Sequence, residues 1–136
     1  MKNHNHLAVW LVIILHQVLG YIWYAPFLFL NVWLAGQGRT MAQLNASGPA
    51  PIIWSIVANI IAAYTISWLI IKLDVKNFWS GAKLGVVLSA GFFILGLGAH
   101  YKFLGIADSV VFIDLGLLFV WTIIAASILA AWRKKM

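Results

Sequence analysis

The sequence has no cysteine and no glutamate, and its only acids are Asp74, Asp108 and Asp114. Without cysteine there is no disulfide, no thiolate nucleophile and no cysteine-ligated metal. Three scattered aspartates give little material for the paired carboxylates of acid–base chemistry. Charge of either sign is scarce. It makes up 9% of the chain, where a soluble domain carries about 25%. Apolar residues take its place: 64% of the 136 residues are hydrophobic and the mean hydropathy is +0.98. A chain this short has too little interior to hide that surface from water. A soluble enzyme and a disordered chain are both excluded. The composition is that of an integral membrane protein.

A helix needs about 20 residues to cross the hydrocarbon core. Charge-free intervals run over 3–38, 40–71, 84–101 and 115–132. The last two hold one span each. The first has room for one span and a remainder, and the second gives up its start to the turn-rich Gln43, Asn45, Ser47, Gly48, Pro49 and Pro51. The pattern predicts an all-α membrane protein, a single domain over 1–136 with four transmembrane helices near 7–24, 51–71, 79–101 and 109–132. Pro26 lacks a backbone donor and turns Ala25 away from helical angles, so the first span ends or kinks there. Proline is tolerated in a first helical turn, which predicts a short apolar helix over 26–35, re-entrant or interfacial. Lys2 and the apolar run after it resemble a signal peptide. The run is too long and lacks a small-x-small cleavage site before Trp23, which predicts an uncleaved anchor.

The basic residues give the orientation. With four spans, Lys2, Lys72, Lys76, Lys83, Arg133, Lys134 and Lys135 fall on one side, and Arg39 and Lys102 on the other. Cytoplasmic loops carry the excess of Lys and Arg, so both termini are expected in the cytoplasm of a bacterial inner membrane. The net charge of +6 therefore reads as headgroup anchoring, and no nucleic-acid partner is expected. Trp23, Trp79 and Trp132 fall near helix ends, where indoles favour the headgroup layer. Asp108 is placed to cap the fourth helix.

Polar groups inside the spans are the candidates for chemistry. Asp114 is the one carboxylate within a span, about 7–8 Å below the outer surface at 1.5 Å per residue, and intramembrane acids usually face a cavity or a partner. His16 and Gln17 lie near the middle of the first helix, Asn59 lies within the second, and His100 and Tyr24 lie near the outer mouth. Two readings stand: one polar cavity in the outer half of the bundle, formed by His16, Gln17, Asn59, His100 and Asp114, or separate interhelical hydrogen bonds. On the third helix Gly81, Gly85 and Ser89 recur at four-residue spacing, with the face continuing to Gly96 and His100. Such a stripe lets another backbone approach closely, either within the bundle or on a docking partner. His4 and His6 have metal-ligand spacing, but two histidines make an incomplete site, and no metal is expected. No zincin, phosphate-loop, nucleophile-elbow or dinucleotide motif occurs, so neither enzyme activity nor a cofactor is expected.

The motif Gly20-x-x-Trp23-Tyr24-x-Pro26-x-x-Phe29-x-x-x-Trp33 resembles a family of small, four-span, mainly bacterial membrane proteins, the domain-of-unknown-function family 1761. A second likeness lies at Phe112-Ile113-Asp114-Leu115-Gly116, near where that family tends to carry Ile-Asp/Asn-Ala-Gly-Tyr. Leu30 stands where the family usually has Gly, and Leu117 where it has Tyr. The resemblance covers almost the whole chain and implies four spans, but no activity or ligand. Two functions fit the sequence. One is a small transporter or channel using the outer polar cavity, in a homo-oligomer or with another membrane protein. The other is a non-catalytic membrane subunit that docks a partner through the Gly-rich face of the third helix.

Overall fold

The structure is a computed structural model that describes residues 4–133; Lys2, Lys134 and Lys135, used above for orientation, lie outside the described residues. It is helical, with no strand among the described residues. Four helical stretches are long and apolar enough to span a bilayer: α1 (His6–Trp23), α4 (Ala50–Lys72), the run Phe78–Phe103, and α7 (Asp108–Ala131). Each begins one residue before its sequence-expected start. Between α1 and α4 lie two short helices, α2 (Leu30–Gln37) and α3 (Met41–Asn45).

The short helix after α1 starts four residues later than the expected Pro26. The intervening backbone is turn, not helix. The Leu28 and Leu30 amides both donate to the Ala25 carbonyl, and the Phe29 amide reaches back to Trp23. That hydrogen-bond pattern folds the chain back before regular winding resumes at Leu30. Gly38 closes α2 at φ 63°, a left-handed angle that glycine adopts without steric penalty.

The Phe78–Phe103 span changes character along its length. It begins as α5 (Phe78–Leu88), widens into a π-helical stretch over Ser89–Ala99, and ends as α6 (His100–Phe103). This explains why the small-residue stripe is only half used. A Cβ on Gly81 would lie 2.4 Å from the Ala126 carbonyl oxygen, and one on Gly85 would lie 2.6 Å from the Ile123 Cα. Gly81, Gly85 and Ser89 are buried against α7. Beyond Ser89 the i→i+5 pairing of a π-helix replaces the 3.6-residue repeat, and the stripe leaves the interface. Gly96 has nothing within 4 Å, and His100 is exposed. The docking face expected for a partner is thus filled, over Gly81 to Ser89, by the chain's own last helix.

The central post of the bundle is α7, which touches α1, α2, α4, α5 and the π-helical stretch. Its span is 44% buried against 17–22% for the other three. Lipid offers no hydrophobic drive for helix association, so close packing has to supply it. Small residues do so: Ala125, Ala126 and Ala130 of α7 meet Ala8, Val9 and Val12 of α1 and Ala63 of α4 in one core. Large apolar side chains such as Trp54, Ile61, Phe92 and Phe112 point outward, as lipid-facing positions should.

The ends of the bundle are tied by polar contacts. Asn5 donates to the Trp132 carbonyl at 2.7 Å, Arg133 donates to Asp74 at 2.7 Å, and Asp74 also pairs with Lys76 at 2.6 Å. The amino end, the 73–77 loop and the carboxyl end therefore share one end of the molecule. Lys76, and secondarily Arg133, hold the Asp74 carboxyl below its usual range. At the other end, the cap of α7 is Ala107 and not Asp108. The Asp108 carboxylate turns instead to Lys102, the nearest cation across the tight turn at Gly105.

Candidate functional site

Asp114 lies one and a half turns into α7, and three neutral donors from three other segments converge on it. The Tyr24 hydroxyl, just past the end of α1, donates to Oδ1 at 2.6 Å. The Trp33 indole, on α2, donates to the same oxygen at 2.8 Å. The Tyr101 hydroxyl, on α6, donates to Oδ2 at 3.1 Å. Tyr24 and Trp33 also pack edge to face, with ring centroids 5.3 Å apart. The next residue back is held as well: Trp23 donates its indole N–H to the Ile113 carbonyl at 3.0 Å and packs at a tilt against Phe29. A Cβ on Gly116 would lie 3.0 Å from the Trp23 ring, and one on Gly36 would lie 2.7 Å from the Ser109 hydroxyl. These two glycines let α1 and α2 close onto α7 around the carboxyl group.

An ionised carboxylate has about four acceptor positions. Two on Oδ1 and one on Oδ2 are filled, so one position on Oδ2 remains open. No donor in the set carries charge, and among the described residues the ion pairs all belong to Asp74 or Asp108. The arrangement orients a carboxyl group firmly without neutralising it. A proton or small cation at the open position would leave all three hydrogen bonds standing.

The remaining sequence candidates lie elsewhere. One band of polar contacts crosses the bundle seven residues further along α7, about 10 Å deeper by helical rise. Here Trp121 donates to the Val12 carbonyl at 3.0 Å and Asn59 donates to the Ile13 carbonyl at 2.9 Å. His16 meets the Trp121 ring edge-on at 5.0 Å, and its Nδ1 lies 3.4 Å from the Gln17 amide nitrogen. His16, Gln17 and Asn59 thus gather around one turn of α1. Their hydrogen bonds share no partner with those of Asp114, and exposed His100 joins neither group. The two tryptophan contacts are reciprocal. Trp23 of α1 donates to a carbonyl of α7, and Trp121 of α7 donates to a carbonyl of α1.

Gly20 and Pro26 make no contact with the carboxylate; Gly20 has open space around it. Trp23, Tyr24, Phe29 and Trp33 from the first motif do assemble against Ile113, Asp114 and Gly116 from the second. Trp33 and Tyr101 were not expected as partners of Asp114. The available signal was their type: tyrosine and tryptophan bring a donor on an apolar body, and both lie at the same end of the bundle as Asp114.

A family model described as "Protein of unknown function (DUF1761)" matches residues 7–130. The chain belongs to this family. No curated protein and no solved structure matches it. The matched stretch contains every residue of the Asp114 site and of the deeper band. The DUF1761 description names no activity. Among the described residues there is no cluster of three or more His, Cys, Asp or Glu side chains. The one carboxyl group within a span is held by aromatic donors, and the deeper band at Asn59 and Trp121 is uncharged.

Proposed function

We propose that the protein is a small transporter or channel of the bacterial cytoplasmic membrane in which Asp114 takes up and releases a proton or a small cation from the outer side. The observation that supports this is an intramembrane carboxyl group held by three neutral donors, with no basic partner among the described residues and one acceptor position open. A carboxylate needed only to tie helices together is better satisfied by an arginine or lysine partner, because an unpaired charge in low dielectric is costly. Three spans packed around α7 enclose little space, so a second copy, or another membrane protein, completes the path in this reading. The alternative of a docking subunit working through Gly81 and Gly85 is disfavoured, because α7 already fills that face. The positive-inside excess in the sequence supports a cytoplasmic position for the end bearing Asp74 and Arg133 in this reading.

Flux in sealed liposomes tests the reading. Purified protein in liposomes with an entrapped proton-, sodium- or potassium-sensitive dye should dissipate the matching imposed gradient faster than empty liposomes. Asp114→Asn should slow that rate at least about tenfold (1.4 kcal/mol per decade). Equal rates for the variant and the wild type would remove Asp114 from the path. No flux above the empty-liposome rate under any of the three gradients would end the transport reading.

A further inference from the structure

His4 and His6 flank Asn5, the N-cap of α1, and both reach across to one face of α4. Nδ1 of His4 lies 2.8 Å from the Ser67 hydroxyl, and Nδ1 of His6 lies 2.9 Å from the Tyr64 hydroxyl. Tyr64 and Ser67 are one helical turn apart, so α4 presents the two oxygens side by side. The backbone between the histidines is pinned as well: Asn5 accepts from the Ala8 amide at 3.3 Å and donates to the Trp132 carbonyl at 2.7 Å. The two imidazole centroids are 6.2 Å apart, and each lies within 6 Å of the Tyr64 ring. Beside them is a mostly apolar groove of about 520 Å³, lined by His4, Ile60, Ile61, Tyr64, Thr65 and Trp68.

Both histidines thus use the same nitrogen for the same purpose. A histidine that binds a metal through Nε2 almost always donates its Nδ1–H to an oxygen, which fixes the ring and its tautomer. Here both oxygens are in place, and among the described residues neither Nε2 has a hydrogen-bond partner. With metal–nitrogen distances of about 2.0–2.1 Å, a shared ion separates two ring centroids by about 5 Å at a tetrahedral angle and about 6.4 Å when the nitrogens are trans, so the observed 6.2 Å fits a nearly trans pair. We propose that His4 and His6 form a two-imidazole site for a borderline divalent transition-metal ion, Cu²⁺ or Zn²⁺, completed by water reaching the exposed His6. Imidazole selects this class over Mg²⁺ and Ca²⁺, which require oxygen ligands. With two protein ligands the site suits an exchangeable ion more than a structural one. The inference is independent of the Asp114 reading, because the site lies at the opposite end of the bundle.

Cu²⁺ is the probe, since it binds such ligands most tightly among the divalent series and its paramagnetic resonance spectrum counts coordinated nitrogens. The full chain, without a polyhistidine tag, is titrated in detergent micelles. One equivalent per chain should bind with two imidazole nitrogens coordinated, and Zn²⁺ should compete for it. His4→Ala and His6→Ala should each weaken binding at least tenfold, while His100→Ala should leave it unchanged. Ser67→Ala keeps both ligands and loses one orienting oxygen, so it should weaken binding about tenfold with unchanged stoichiometry. All four variants keep Asn5 and the cap of α1, and helix content by circular dichroism confirms the fold. Failure to bind one equivalent, or binding that survives both His4→Ala and His6→Ala, would overturn the proposal.

Discussion

Removing the Asp114 carboxylate in two ways separates its electrostatic role from its hydrogen bonding. Asp114→Ala leaves the Tyr24 and Tyr101 hydroxyls and the Trp33 N–H without their acceptor. Each orphaned donor costs about 1–3 kcal/mol when buried. All three residues are half-buried, so the low end applies and the sum is about 3 kcal/mol. Asp114→Asn behaves differently because the indole N–H can only donate. The amide must therefore keep its oxygen toward Trp33 and Tyr24 and turn its NH₂ toward Tyr101. The Tyr101 hydroxyl can rotate to accept, so three hydrogen bonds survive and only charge assistance is lost, about 1 kcal/mol. Reversible unfolding in mixed micelles, followed by tryptophan fluorescence, should rank the proteins wild type, Asn, Ala, with a gap of about 2 kcal/mol between the variants. Tyr101→Phe should be milder than Asp114→Ala alone, but it should remove the advantage of Asn over Ala, because the NH₂ then lacks an acceptor. Hydrogen exchange in α2 should rise with Ala and not with Asn, since Trp33 is the polar link between that helix and the carboxylate. Equal destabilisation by Asn and Ala, or no destabilisation by either, would refute the hydrogen-bond assignment.

Other expectations follow from the packing and the charges. Gly85→Leu must push the α7 backbone away and should lower stability by about 1–3 kcal/mol, whereas Gly96→Ala meets open space and should be neutral within about 0.5 kcal/mol; equal effects in a thermal shift would contradict the one-sided stripe. Asp74 has its carboxyl lowered in the folded state from an ordinary value of 3.8, chiefly by Lys76. Its contribution is therefore present above that value and lost as pH falls through the lower folded one. Hydrogen exchange over residues 73–77 should speed up on acidification below about pH 4, and Asp74→Asn should abolish that pH step. A reporter fused after Met136 should be active only in the cytoplasm; activity confined to the outside would reverse the proposed orientation.

The spans were legible because lipid imposes a length and an apolar composition that few sequences meet by accident. Each charge-free interval holds one of the four long helices, although the third and fourth begin at Phe78 and Asp108, ahead of the intervals that start at 84 and 115. What escaped reading was set by relations that a one-dimensional pattern does not carry. The stripe from Gly81 extrapolated to Gly96 and His100 only if the helix kept 3.6 residues per turn, and the π-helical stretch from Ser89 to Ala99 broke that assumption with no proline or charge to announce it. His16, Asn59 and Asp114 were grouped by depth alone. Depth is fixed by residue number, but helix rotation decides which neighbour a side chain meets, and α7 turns Asp114 toward α2 and α6 while Asn59 spends its donor on a carbonyl of α1.

The carboxylate was found because acids in lipid are rare. Its partners were not, because tyrosine and tryptophan near a membrane surface already have a sufficient explanation in the headgroup layer. Trp23 and Trp33 fit that explanation by position, and the structure gives both a second use: each indole points its only donor inward, to a carbonyl at Ile113 and to the Asp114 carboxylate. Most of the aromatic residues of the first motif form the polar lining of the Asp114 site, and the second motif supplies the groups they bind. A tryptophan that served only as an interfacial anchor would tolerate exchange for tyrosine. Trp33, whose N–H must reach Oδ1 from a helix packed by Gly36 directly onto Ser109 and Val110, should not.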